Sequence, residues 1–208
     1  MNLKALRAGL AAMLLFFAGG AAAEGGTGYE TLPLAGDQRT DGKVEVIKFF
    51  WYGCPHCYSA EPTVNGWLDN KPDNVEFRRE APPLNQGWMI HSEAFYAAQI
   101  MGVLDQFHDA FFNEIHQNKN RMRRPDDIGD FVETLGLDRD KFLSTMKSFA
   151  VRGKIQNSMK LAQKFRLTGV PSVVVDGRFK TGGSIAGSYP RMMEVIGELA
   201  NEITGTQG

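Results

Sequence analysis

The segment from Val44 to Cys57 constrains the fold more than any other part of the chain. Val44-Glu45-Val46-Ile47-Lys48-Phe49-Phe50 is nearly continuous in apolar residues, the pattern of a central strand covered on both faces. Three residues later comes Cys54-Pro55-His56-Cys57, which holds the only two cysteines of the chain. Cys54 suits a helix N-cap and Pro55 the first helical position, where its fixed φ and missing N–H cost nothing; Cys57 falls one turn on. A strand, a short loop and a helix are therefore expected, with both sulfurs on one side of the helix start.

A disulfide closing so small a loop removes little entropy from the unfolded chain, so the pair is a poor staple. A structural zinc site wants four ligands and finds two cysteines here, so no metal is expected. At a helix start, free backbone N–H groups and the positive end of the helix dipole favour an anion, which stabilises the Cys54 thiolate over its thiol. A protonated His56 beside it pushes the same way. The pattern predicts redox chemistry carried by Cys54 and Cys57.

The compartment follows from a separate feature. Lys4 and Arg7 precede an uncharged run from Ala8 to Ala23, which ends in Ala21-Ala22-Ala23 before Glu24. This reads as a cleaved secretory signal over residues 1–23, because its 16 residues fall short of the ~18 expected of a spanning helix. Removing 23 of 208 residues leaves 185, with 21 Lys and Arg against 24 Asp and Glu. That slightly acidic balance gives no reason to expect nucleic acid as a partner. A dithiol exported to an oxidising compartment is most simply catalytic.

Further along, Thr31 to Gly42 reads as a polar lead-in, and the helix after Cys54 should run through Trp67-Leu68 and kink at Pro62. A second strand is expected over Val75–Arg79, ended by Pro82-Pro83. From about Asn85 the period becomes helical. Ala94, Phe95, Ala98 and Met101 share one face; Leu104, Phe107, Phe111, Phe112 and Ile115 the next; then Ile128, Phe131, Val132 and Leu135; then Phe142, Leu143, Met146 and Phe149; then Val151, Ile155, Met159, Ala162 and Phe165. Their spacing assigns them to the core. Strand signals return at Ser172–Val175, followed by an Asp176-Gly177 two-residue hairpin turn, a strand over Arg178–Thr181, and a last helix after Pro190. The fold class expected is α/β, a thioredoxin-like domain interrupted by helices, divided as 24–84, a helical insertion over 85–150, and 151–208.

The residues Phe49-Phe50-Trp51-Tyr52-Gly53-Cys54-Pro55-His56-Cys57-Tyr58, the helical insertion, and Thr168-Gly169-Val170-Pro171 before the hairpin together resemble the DsbA family of exported thiol:disulfide oxidoreductases. The resemblance covers essentially the whole chain after the leader. It implies an exposed nucleophilic Cys54, a buried resolving Cys57 and a cis Val170-Pro171 facing them. It also implies donation of disulfides to newly exported proteins with free cysteines, in the periplasm, and recharging by a DsbB-like quinone-linked membrane protein; no cofactor of its own is implied. Substrates would be held by the Val170 backbone, Pro171 and His56 in a shallow apolar groove. A family-type thiolate pKa of ~3.5, set against pH 7, corresponds to about 5 kcal/mol and roughly 100 mV of oxidising power.

One departure stands out. Chains of this family usually carry an acidic residue six positions before the first cysteine, where it can take the proton of the resolving cysteine, and this chain has Lys48. Glu61 and Arg79 match charged family positions, so a buried group pairing Lys48 with Glu61 is expected; the alternative is that Lys48 snorkels to the surface. Trp51 and Tyr52 either line a peptide surface or pack beneath the loop. His91, His108 and His116 read as solvated or core-satisfied. A reductase, an isomerase or a non-enzymatic holdase are the rival functions, and the reduction potential separates them.

Overall fold

The computed structural model describes residues 27–33 and 41–205; the segment read as a signal and most of the polar lead-in lie outside them. Five strands form one sheet in the order β1-β5-β4-β2-β3, with β1 Glu30–Thr31, β2 Val44–Phe49, β3 Val75–Glu80, β4 Ser172–Val175 and β5 Phe179–Thr181. Only β2 and β3 run parallel, joined over the sheet by helix α1, Pro55–Leu68. Five helices separate β3 from β4: α2 Met89–Met101, α3 Leu104–His116, α4 Pro125–Thr134, α5 Arg139–Met146 and α6 Phe149–Lys164. After β5 come the short α7, Gly183–Ala186, and α8, Tyr189–Thr204. This is the expected thioredoxin-like sheet interrupted by helices.

Because strand side chains alternate, β2 presents two different faces. Val44 and Val46 point to a core shared with Val64 of α1 and with Met192, Ile196 and Leu199 of α8. Ile47 and Phe49 point the other way, to Val174 and Phe165. Lys48 has the parity of Val44 and Val46, so the strand aims its ammonium beneath α1. Its register partner in β3 is Arg79.

The elements differ from the sequence reading at several points. Phe50 leaves the strand, its N–H bonded to the Glu80 carbonyl at 3.0 Å, and β3 correspondingly runs to Glu80. The hairpin turn is one residue longer than expected, with Arg178 inside it. Asp176 and Gly177 both have positive φ, the Arg178 N–H reaches the Val175 carbonyl at 3.0 Å, and the Arg178 side chain pairs with Asp176 at 2.9 Å. Met159 and Phe149, which helical spacing assigns to the core, are 38% and 81% exposed. Phe149 opens α6 immediately after its N-cap, Ser148, where the chain turns outward.

The helical layer packs around aromatic rings. Phe107, fully buried, stacks on Phe111 at 4.7 Å and on Phe142 at 5.3 Å, and meets Tyr52 edge-on at 6.1 Å. Truncating it would empty the middle of this layer, so Phe107→Ala should cost about 3–5 kcal/mol in denaturant melts. A loss below about 1 kcal/mol would mean that the layer collapses around the gap and that Phe107 is not its centre.

Candidate active site

Cys54 caps α1. Its backbone is extended, its N–H bonds the Trp51 carbonyl at 3.0 Å, and its sulfur accepts the Cys57 N–H at 3.3 Å. Gly53 is required in the loop before it, since a Cβ there would lie 2.2 Å from the indole of Trp51. Both cysteines are free thiols; Cys54 is 8% exposed and Cys57 is fully buried, so an incoming sulfur can reach only Cys54.

The two thiols titrate as a pair pushed apart by their surroundings. The Cys57 thiol, hydrogen-bonded to Cys54, is the largest influence lowering Cys54; burial opposes it, and the Cys57 and His56 N–H groups and the His56 side chain add to the lowering, bringing it to about 6. Burial pushes Cys57 far above the ordinary thiol range, and the neighbouring Cys54 raises it further, with Lys48 opposing only in part.

Val170-Pro171 is a cis peptide, and the Val170 carbonyl oxygen lies 3.5 Å from Cys54 Sγ. Beside it runs a cavity of about 400 Å³ between His56, Pro171, Ser172, Gly182 and Tyr189. The apolar groove expected there is instead of mixed character, because Thr168, Ser172 and the Lys180–Glu30 ion pair also line it. His56 is exposed, and its carbonyl accepts a hydrogen bond from Tyr189 Oη at 3.0 Å. Trp51 and Tyr52 part company: Tyr52 packs beneath the loop, whereas Trp51 is half-buried and stacks on Trp88 at 4.6 Å.

Lys48 is fully buried and does not reach the surface; its ammonium pairs with Glu61, one turn beyond Cys57 on α1. Arg79 holds the second Glu61 oxygen at 3.2 Å and is itself held by Asn65 at 2.9 Å. His108 brings its Nε2 to 3.6 Å from Glu61, while its Nδ1 shares a 2.9 Å hydrogen bond with Tyr52 Oη. Burial alone would raise the Glu61 carboxyl, but His108, Lys48 and Arg79 together hold it below the usual carboxylate range. Burial lowers Lys48 in turn, against the pull of Glu61. His108 is lowered mainly by burial, against the pull of Glu61. Glu61, His108 and Asp109 present donor atoms within 4.8 Å of one another, but two cations already occupy Glu61, which disfavours a metal ion there.

His108 and Tyr189 are the site residues that sequence reasoning missed. The signal for His108 was present: it shares the helical face of Leu104, Phe111, Phe112 and Ile115, so burial could be expected. Nothing local pointed to Tyr189.

Three comparisons bear on this arrangement. Residues 91–188 match the family described as a DSBA-like thioredoxin domain. The chain is 40% identical to the thiol:disulfide interchange protein DsbA of Burkholderia cepacia over 78% of this chain and 76% of that protein. For DsbA of Pseudomonas syringae pv. tomato the identity is 38%, over 86% and 84%. The crystal structure of Pseudomonas aeruginosa DsbA superposes with a TM-score of 0.79 at 35% identity, covering 84% of this chain and 91% of that one.

Two outcomes follow from the geometry. A thiol whose folded pKa is depressed stabilises the fold fully above its unfolded value and loses that contribution as pH falls through the folded one. The stability of the dithiol form relative to the disulfide form should therefore rise between pH 6 and about 8.5, and absorbance near 240 nm should show Cys54 ionising near 6 rather than ~8.5. An ionisation near 8 with no such rise would remove the thiolate stabilisation. Second, Glu61→Gln leaves the buried Lys48 without a counter-charge and should cost about 3–5 kcal/mol, whereas Lys48→Met leaves Glu61 with Arg79 and His108 and should cost less than half of that. Equal losses would show that Arg79 and His108 do not compensate Glu61.

Proposed function

The chain belongs to the DsbA family and is a thiol:disulfide interchange oxidoreductase, and on that premise we propose that it works as a donor, passing a Cys54–Cys57 disulfide to exported proteins through a mixed disulfide at Cys54. The observation that carries this reading is the division of the pair: one sulfur at the helix cap with a favoured thiolate, the other buried with a disfavoured one.

In the forward direction a substrate thiolate attacks Cys54 of the disulfide. The Cys54–Cys57 bond breaks, and a bond from Cys54 to the substrate forms. Cys57 leaves as a thiolate and takes up a proton. A second substrate thiolate then attacks the substrate sulfur of the mixed disulfide, forming the new disulfide and releasing Cys54 as a thiolate, so two electrons end in the Cys54, Cys57 pair. Cys54 is a good leaving group because its thiolate is stabilised. The cationic ammonium of Lys48, held by Glu61, steadies charge on Cys57 and stands where the family usually has an acid.

The extended substrate pairs with the backbone of Val170, the residue whose carbonyl faces Cys54, while Pro171, Pro55 and His56 shape the surface around it. Residues 1–23 send the protein to the periplasm, and a DsbB-like membrane protein withdraws the two electrons to quinone. The partners are unfolded chains with free cysteines, not nucleic acid.

The magnitude is smaller than a pKa of ~3.5 would give. From pH 7, a value about one unit lower favours the thiolate by ~1.4 kcal/mol, worth roughly 30 mV. Equilibration with glutathione should therefore give a potential at least about 30 mV above the ~−270 mV of thioredoxin. A value at or below that of thioredoxin would assign the protein to reduction instead. Cys57→Ala should accumulate mixed disulfides at Cys54, and their absence would count against Cys54 as the attacked sulfur.

A further inference from the structure

A second cavity, of about 250 Å³, is walled on one side by Trp51, Gly53 and Pro55 of the active loop. Gly53 and Pro55 flank Cys54 in sequence, so the cavity borders the active loop. Its other wall carries Lys119, Arg121 and Arg123, and no carboxylate lines it. Lys119 turns its ammonium to the His116 carbonyl at 2.6 Å, whereas Arg121 and Arg123 are exposed and form no ion pair among the described residues. Three cations within five residues are unusual on a chain whose formal net charge is −1.

The segment that carries them is held in shape. Lys119 and Met122 adopt left-handed backbone conformations, and the fully buried Met122 anchors the arginines on either side of it. The carbonyls of Arg121 and Met122 both lie 3.2 Å from Nε2 of the buried His91. Trp51 is fixed by its stack on Trp88. In the adjoining hollow that Trp51 and Arg123 also line there is one carboxylate, Glu93. The cavity beside Val170 differs in kind, since its Lys180 is neutralised by Glu30.

We propose that this cationic cavity is a specificity site for the polypeptide being oxidised, and that it takes an acidic side chain close in sequence to the reacting cysteine. The inference rests on the proposed attack at Cys54 and deepens it. The Val170 backbone pairs with any extended chain and cannot discriminate among sequences, whereas guanidiniums beside the active loop can. Charges of this kind act chiefly on the encounter rate and are screened by salt.

The test uses the oxidised full-length protein and two dithiol peptides of equal length, identical except that one has two Glu and the other two Gln beside the first cysteine. Stopped-flow rates at low ionic strength should favour the Glu peptide about fivefold, and the preference should fade toward unity in 0.5 M NaCl. Arg121→Gln/Arg123→Gln should abolish the ratio, and Arg121→Glu/Arg123→Glu should shift the preference to a matching Lys peptide. Equal wild-type rates, or a preference that survives in the Gln variant, would overturn the proposal. If neither peptide is oxidised, the donor reading fails instead, and the rate on the Gln peptide separates the two outcomes.

Discussion

The buried pairing of Lys48 with Glu61 is the interaction on which the site depends. It joins the central strand to the active helix one turn past Cys57, and Arg79 and His108 extend it to the next strand and to the helical layer. Two opposite charges out of water are costly unless each is paired and held by further contacts. Here three elements, β2, β3 and α3, converge on the carboxylate that α1 carries, which fixes α1 relative to β2 and so fixes where the cap of α1 presents Cys54. A buried ion pair of this kind adds position rather than net stability.

The same arrangement places the chemistry. Cys57 is sealed under the loop while Cys54 keeps a small opening to solvent, so the asymmetry of the pair comes from burial as much as from the helix start. Lys48, on the helix-facing side of β2, acts on the Cys57 thiol in the direction opposite to that of burial. A cation there favours a departing thiolate, where an acid would favour its protonated form.

Much of the fold was legible because it rests on local pattern. The run Val44 to Phe49, the proline after Cys54 and the helical spacing of Phe107, Phe111 and Phe112 each state their element directly. The errors arose where a neighbour decided. Arg178 left its strand because the Asp176 N–H bonds the Glu45 carbonyl of β2 at 2.8 Å and its carboxylate draws in the arginine. Met159 and Phe149 carry the right residue types on a helix whose start and outer side face solvent. His108 looked like one of three equivalent histidines until α3 carried it against Glu61.

The sequence by itself determined the strand–loop–helix that holds Cys54 and Cys57, the helical character of the segment between β3 and β4, and the parity that aims Lys48 beneath α1. These follow from periods of two and 3.6 residues and from capping rules, which act over short distances along the chain. Only the tertiary structure decided that Glu61, Arg79 and His108 meet Lys48, that Val170 faces Cys54 across 116 positions, and that Arg121 and Arg123 stand beside the active loop. Such contacts are set by how the layers stack, because burial and Coulomb energies depend on distance in space and carry no imprint in local sequence.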